Sequence, residues 1–305
     1  MSLFDDIPPN ACPAYLNIRS ADNAHTEEAR LHCEDLWQDF KQIADPHFLT
    51  EFPLQFHQRW FEMYLTVTFL RIGFDVECPK PGPDILLHVD GRKIWIEAVC
   101  ASGGDPESPD AVPELEHNLS VARRRPTDEM VLRIANSIQE KQKKFLNWRS
   151  KGLISSDEKT VIAVNIHGIP WAWVDIDDLM RRTLYGLGDE FLTINKETMD
   201  VVDRGYQRTP EVLKKGSGSS VSVQPFVDGS LPHISAVLGS WEDVCNRSAQ
   251  PGDGFILYPN ISAETGWISN ALKIGEEWVS SASENGEKQL SKFKHKLIDM
   301  PPQLG

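Results

Sequence analysis

PGPDILLHVDGRKIWIEAV, residues 81–99, is the stretch on which the fold turns. DILLHV (84–89) and RKIWIEAV (92–99) are strand-like apolar runs separated by Asp90-Gly91, a strong signal for a two-residue hairpin. A turn there pairs Val89 with Arg92 and Leu87 with Ile94, and so sets Asp84 opposite Glu97. Alternation places Glu97 on the same face as Lys93, Trp95 and Val99. Side chains paired across neighbouring strands lie about 4.5–5.5 Å apart at Cβ, where two carboxylates repel unless a cation lies between them. Oxygen ligands of this kind suit Mg²⁺ or Mn²⁺. The plain alternatives are a slipped register or a solvated acidic pair.

Upstream, LQFHQRWFEMYLTVTFLRI (54–72) has aromatic and apolar residues at spacings of three and four and ends at Gly73, which predicts a long helix carrying Glu62 beside its aromatic face. FDVEC (74–78) is a short strand candidate and KPGP (80–83) a turn. Downstream, 101–114 is a loop with three prolines and two glycines. Residues 127–148 form a second long helix with Thr127 as its N-cap. TVIAVNIHG (160–168) is a buried strand and 175–187 a helix. Beyond these the pattern weakens. GSGSSVS (216–222) reads as flexible, 233–240 and 254–260 as further strands of the same sheet, and the region around EEWVSSA as helical. Residues 1–50 read as an N-terminal helical extension, irregular around its first prolines and helical from Thr26 to about Ile43.

The composition is that of a folded chain: 305 residues, 40% hydrophobic and 25% charged. No apolar run is long enough for a membrane span, and the N-terminus lacks the basic-then-apolar order of a signal peptide, so a cytoplasmic protein with no membrane partner is expected. Five scattered cysteines without a CxxC disfavour a disulfide scaffold or a zinc ribbon. The net charge of −14 excludes wholesale coating of nucleic acid but leaves room for a local basic rim. Such a rim is present between Arg123 and Lys151, where nine basic residues face three acidic ones. A solvated helix face is the bland account of it.

Glu62, then Gly-Pro-Asp84, then Ile-Glu97-Ala-Val resembles the PD-(D/E)XK nuclease superfamily. The resemblance covers about residues 55–170 and includes the element order helix, three strands, helix, strand. It implies an α/β fold with a restriction-endonuclease-like core, a mixed central sheet flanked by helices, within a domain over 51–305. It implies a metal-dependent nuclease that hydrolyses phosphodiester bonds, in DNA first of all. Asp84 and Glu97 would bind Mg²⁺ or Mn²⁺ with the Ala98 carbonyl as a further ligand, and Glu62 would stand in or behind that shell. The lysine that the family places two residues after the glutamate is replaced here by Val99. Arg133, Ser137 and Lys141 share one face of the second helix, so Lys141 is the expected substitute, with Lys144 next. Arg123, Arg124, Arg125, Arg133 and Lys144 are candidate contacts to the nucleic-acid backbone. A homodimer stays open as a further partner. The missing lysine and the acidic charge also admit a second function, a non-catalytic nuclease-fold module that binds nucleic acid or protein; a hydrolase of another phosphate ester is a third. His57 and Cys100 are more readily packed neighbours than catalytic groups, and Trp171 and Trp173 more readily packing aromatics than base-stacking ones.

Overall fold

The computed structural model describes residues 2–115, 124–282 and 288–294. Its centre is a mixed eight-stranded sheet in the order β1-β2-β3-β4-β9-β10-β11-β12. These strands are β1 (Asp75–Glu77), β2 (Ile85–Val89), β3 (Arg92–Ser102), β4 (Lys159–Gly168), β9 (Ala236–Ser240), β10 (Phe255–Pro259), β11 (Glu276–Ala282) and β12 (Lys288–Lys294). β3, β4 and β9 run parallel, with β2 antiparallel to β3 at one flank and β10 antiparallel to β9 at the other. Two small hairpins lie outside the sheet: β5 (Leu187–Ile194) with β6 (Val201–Arg208), and β7 (Glu211–Leu213) with β8 (Ser220–Ser222).

Helices cover both faces, so strand residues alternate between two cores. On one face Ile85, Leu87, Ile96, Ala98, Ala163 and Leu238 pack against α1 (Pro13–Ser20), α2 (Ala24–Phe40), α3 (Phe48–Glu51) and α4 (Phe56–Ile72). On the other, Leu86, Trp95, Ile162, Val164 and Val237 pack against α5 (Thr127–Ser150) and α6 (Ile176–Tyr185). The N-terminal helices therefore share one core with α4. Phe48, Phe52 and Phe56 are all but fully buried in it. Among the described residues no helix is long and apolar enough to cross a membrane.

The local chemistry explains the ends of the elements that frame the site. α4 stops at Gly73, whose φ of 97° suits a residue without a Cβ, and Gly73 N–H bonds Leu70 O. α5 begins with Thr127 inside the helix and Pro126 as its cap residue, one position before the expected start, with Asp128 and Glu129 in the first turn, where the helix dipole favours acids. The β2–β3 turn has φ of 49° at Asp90 and 74° at Gly91, the pair of positive values that a type I′ hairpin requires. The resulting register runs from Val89↔Arg92 to Ile85↔Ile96, as expected from the dipeptide.

Three expectations are corrected. The region around EEWVSSA is strand β11, parallel to β10, not helix; Trp278 is buried there against the α6 core, and the open edge of β10 offers hydrogen bonds that helical periodicity does not reveal. The proline-rich start is not all irregular, because Pro13 occupies the first turn of α1, where its missing N–H costs nothing. GSGSSVS contributes β8 of a small hairpin. The β5–β6 hairpin lay in a region with no readable pattern, since most of its side chains are exposed. Gly91→Val is expected to lower stability in urea unfolding by about 1–2 kcal/mol, the cost of a left-handed non-glycine residue. An unchanged midpoint would mean that this turn does not hold the hairpin.

Candidate active site

β3 is eleven residues long and its antiparallel partner β2 only five, so residues 98–102 of β3 run on past the point where β2 begins. Backbone groups left open there need partners, and side chains supply them. Asp84, the residue before β2, accepts the Ala98 N–H on Oδ2 at 2.9 Å. Gln58 of α4 donates from Nε2 to the Ala98 carbonyl at 3.2 Å and accepts the Cys100 N–H on Oε1 at 2.9 Å. Its amide thus does for β3 what a neighbouring strand would do. The same Nε2 donates to Glu62 Oε1 at 2.8 Å, while Arg59 Nη1 holds Glu62 Oε2 at 2.7 Å. Arg59 also pairs with Asp45 and Glu51. Glu62 is thereby fixed on α4 beside the Ala98 carbonyl.

Glu97 lies on the opposite side of β3, turned towards α5 with Trp95, and only 1% of its surface is exposed. A carboxylate so deeply buried needs a cation. Lys141 Nζ donates to Glu97 Oε1 at 2.8 Å and Lys144 Nζ to the same oxygen at 2.6 Å. Burial opposes the charge on Lys144, but the Glu97 carboxylate outweighs it and raises the ammonium's pKa above its ordinary value. Arg133, Ser137 and Lys141 do form one stripe facing β3: Arg133 Nε donates to Ser102 O at 2.9 Å, Ser137 is buried, and Lys141 reaches Glu97. Val99 is half-buried against the same core. Position 99 of the strand holds no lysine, and two lysines reach Glu97 from the helix.

Of the three site carboxylates, Asp84 alone has no ion pair among the described residues. Burial raises its pKa first, then the charges of Glu62 and Glu97; Lys141 and the Ala98 N–H pull the other way, and the result is about 7. A folded-state pKa above the unfolded one means stability present below the unfolded value near 4 and progressively lost as pH rises through about 7. Asp84→Asn keeps an acceptor for Ala98 and cannot ionise. It is therefore expected to be more stable than the wild type by roughly 1–3 kcal/mol at pH 8. The gap should shrink to nothing as the pH falls to 4, and thermal melts of both proteins across that range measure it. A variant equal to or less stable than the wild type at pH 8 would remove the electrostatic account of this site.

The basic residues divide. Arg123 lies outside the described residues, and Arg124 is exposed. Arg125 is turned inward, with Nη1 3.3 Å from Asp178 Oδ2 and Nη2 donating to Asp175 O, so it braces α6. Arg133 is occupied by Ser102. Among the described residues no three His, Cys, Asp or Glu side chains form a ready metal cage. Asp84, Glu97 and the Ala98 carbonyl nevertheless make a hard-oxygen set, and the raised pKa of Asp84 reflects its burial first and the neighbouring carboxylates second. A divalent cation there suits these donors. Gln58 is the site residue that sequence reasoning passed over; its only signal is its place one helical turn before Glu62. In comparisons with known proteins, the chain matches no family model, no curated protein and no solved structure.

Proposed function

We propose that the protein is a metal-dependent nuclease of restriction-endonuclease-like fold that hydrolyses phosphodiester bonds of nucleic acid, DNA in the first place. One observation carries the reading: α5 delivers Lys141 to Glu97 at 2.8 Å, placing beside the acidic pair the cation that Val99 cannot provide. The order α4-β1-β2-β3-α5-β4 agrees with it. A Mg²⁺ or Mn²⁺ ion held by Asp84, Glu97 and the Ala98 carbonyl would polarise the scissile phosphate and lower the pKa of a bound water. The chain's own residues have separate tasks. Asp84 and Glu97 set the negative field that draws in the cation. Glu62, fixed by Gln58 and Arg59, orients groups behind it. Lys141 stabilises negative charge on the phosphoryl oxygens, with Lys144 as the more exposed second ammonium. Arg124 and Lys144 are the exposed cations available to the phosphate backbone.

The assignment is tested on supercoiled plasmid and on single-stranded oligonucleotides with millimolar Mg²⁺ or Mn²⁺. Cleavage is expected in the wild type and none in Asp84→Ala. Lys141→Ala should reduce cleavage by about 10²–10³-fold, the usual cost of removing one charge-stabilising donor. Lys143→Ala, which removes an exposed lysine with no contact to Glu97, should stay within about twofold, in the range of ordinary surface substitutions. Equal and small losses at 141 and 143 in an enzyme that cuts would move the catalytic cation elsewhere.

Mn²⁺ should also raise the melting temperature of the wild type through preferential binding to the folded state, and leave Glu97→Ala unmoved. Melting curves indifferent to millimolar Mn²⁺ in both proteins would count against the cation. A second reading, the non-catalytic module, draws on the engagement of both lysines by Glu97 and on the net charge of −14. Binding of nucleic acid or of a protein partner without any metal-dependent cleavage would favour it.

A further inference from the structure

A cavity of about 340 Å³ opens on the α4 side of the sheet, at the carboxyl ends of β3 and β4 and beneath the first turn of α4. In sheets with parallel strands this end is where ligands commonly bind. Leu54, Phe56 and Trp60 give it an apolar wall, and His57 and His167 add two imidazoles whose ring centres are 5.7 Å apart. His167 is held in one orientation. Its Nδ1 lies 3.0 Å from Asp243 Oδ2, and the buried Asp243 carboxylate is itself fixed by the N–H groups of Cys245 and Asn246 and the side-chain amide of Asn246. With Nδ1 engaged by the carboxylate, Nε2 is the ring nitrogen left for a ligand. Burial first, and then the neighbouring His167, lower the pKa of His57.

Among the described residues no lysine or arginine lines the cavity, whereas Asp243 and Glu242 do, so a phosphate group is a poor fit. Cys100 does not act as a nucleophile there: its thiol donates to the His57 carbonyl at 3.3 Å, and burial keeps it protonated. Apolar walls with a few fixed hydrogen-bonding groups and no lysine or arginine suit a flat, uncharged heteroaromatic molecule. The cavity also adjoins the acidic site. Gln58 lines it and at the same time bonds Glu62 and the Ala98 carbonyl. Ala98 and Cys100 are two residues apart, about 6.6 Å along an extended strand.

We propose that this cavity receives one unstacked nucleobase of the nucleic-acid strand whose backbone lies against Asp84 and Glu97, with His57 and His167 reading the edge of the base. The link to a strand at the acidic site rests on the nuclease reading; the preference for a base over a phosphate does not. The full-length protein in EDTA is titrated calorimetrically with adenosine, guanosine, cytidine and thymidine, and separately with ribose 5-phosphate. At least one nucleoside is expected to bind at millimolar concentration or below, and ribose 5-phosphate is not. His167→Ala should weaken that nucleoside by about tenfold, the effect of one lost hydrogen bond in an enclosed site. Leu54→Arg, at a half-exposed rim position (42% exposed), should block the cavity without disturbing the core and guards against a misfolded histidine variant. Asp84→Asn should bind the nucleoside as the wild type does.

The proposal is overturned if no nucleoside binds, if ribose 5-phosphate binds equally well, or if affinity ignores both cavity variants. Nucleoside binding by a protein that cuts nothing would sustain the cavity assignment and sink the nuclease reading. Cleavage without nucleoside binding would do the reverse.

Discussion

A buried carboxylate on a central strand is the constraint around which this molecule is arranged. Glu97 is enclosed between β3 and α5, and among the described residues its charge is balanced from the helix, by Lys141 and Lys144. Removing one partner of such a pair typically costs 3–5 kcal/mol, because the other charge stays buried. Hydrophobic residues of similar volume would often serve stability as well or better. A contribution to stability alone therefore explains Glu97 poorly. The same demand sets the rotation of α5, since Arg133, Ser137 and Lys141 must all face β3.

The second constraint is the mismatch in length between β2 and β3. Had β2 continued, its backbone would have met the N–H of Ala98 and Cys100, and no side chain could have entered. Its late start at Ile85 leaves a notch that Asp84 and Gln58 fill with side-chain groups. Side chains can release such bonds at less cost to the sheet than a strand can, so the notch remains open to exchange with a ligand. Gln58 touches the acidic residues on one side and the histidine-lined cavity on the other, which makes one helical residue the hinge between the two.

The parts of this arrangement legible in the sequence are those fixed by short-range rules. Asp90-Gly91 dictated the register that brings Asp84 to Glu97, and helical spacing put Lys141 on the stripe with Arg133 and Ser137. Residues related only through tertiary packing were not legible. Gln58 looks like any polar residue at the start of a helix until β2 is seen to stop short. Asp243 follows β9 and His167 ends β4, and nothing in their separation of seventy-six positions announces a contact at 3.0 Å. Strand β11 was hidden for a related reason: its pairing with β10 is parallel and remote, so local periodicity carried no trace of it. Arg125 has the look of a nucleic-acid contact in a run of three arginines, yet Asp178 on α6 claims it.

The account stands or falls on whether Asp84 and Glu97 share a divalent cation. Anomalous diffraction from crystals soaked in MnCl₂ tests this most directly. A single strong peak within bonding distance of an oxygen from each of Asp84 and Glu97 and of the Ala98 carbonyl, with Lys141 or Lys144 displaced from Glu97 Oε1, is the predicted result. Fully soaked crystals with no peak there, and with both ammonium groups still on Glu97, would contradict it.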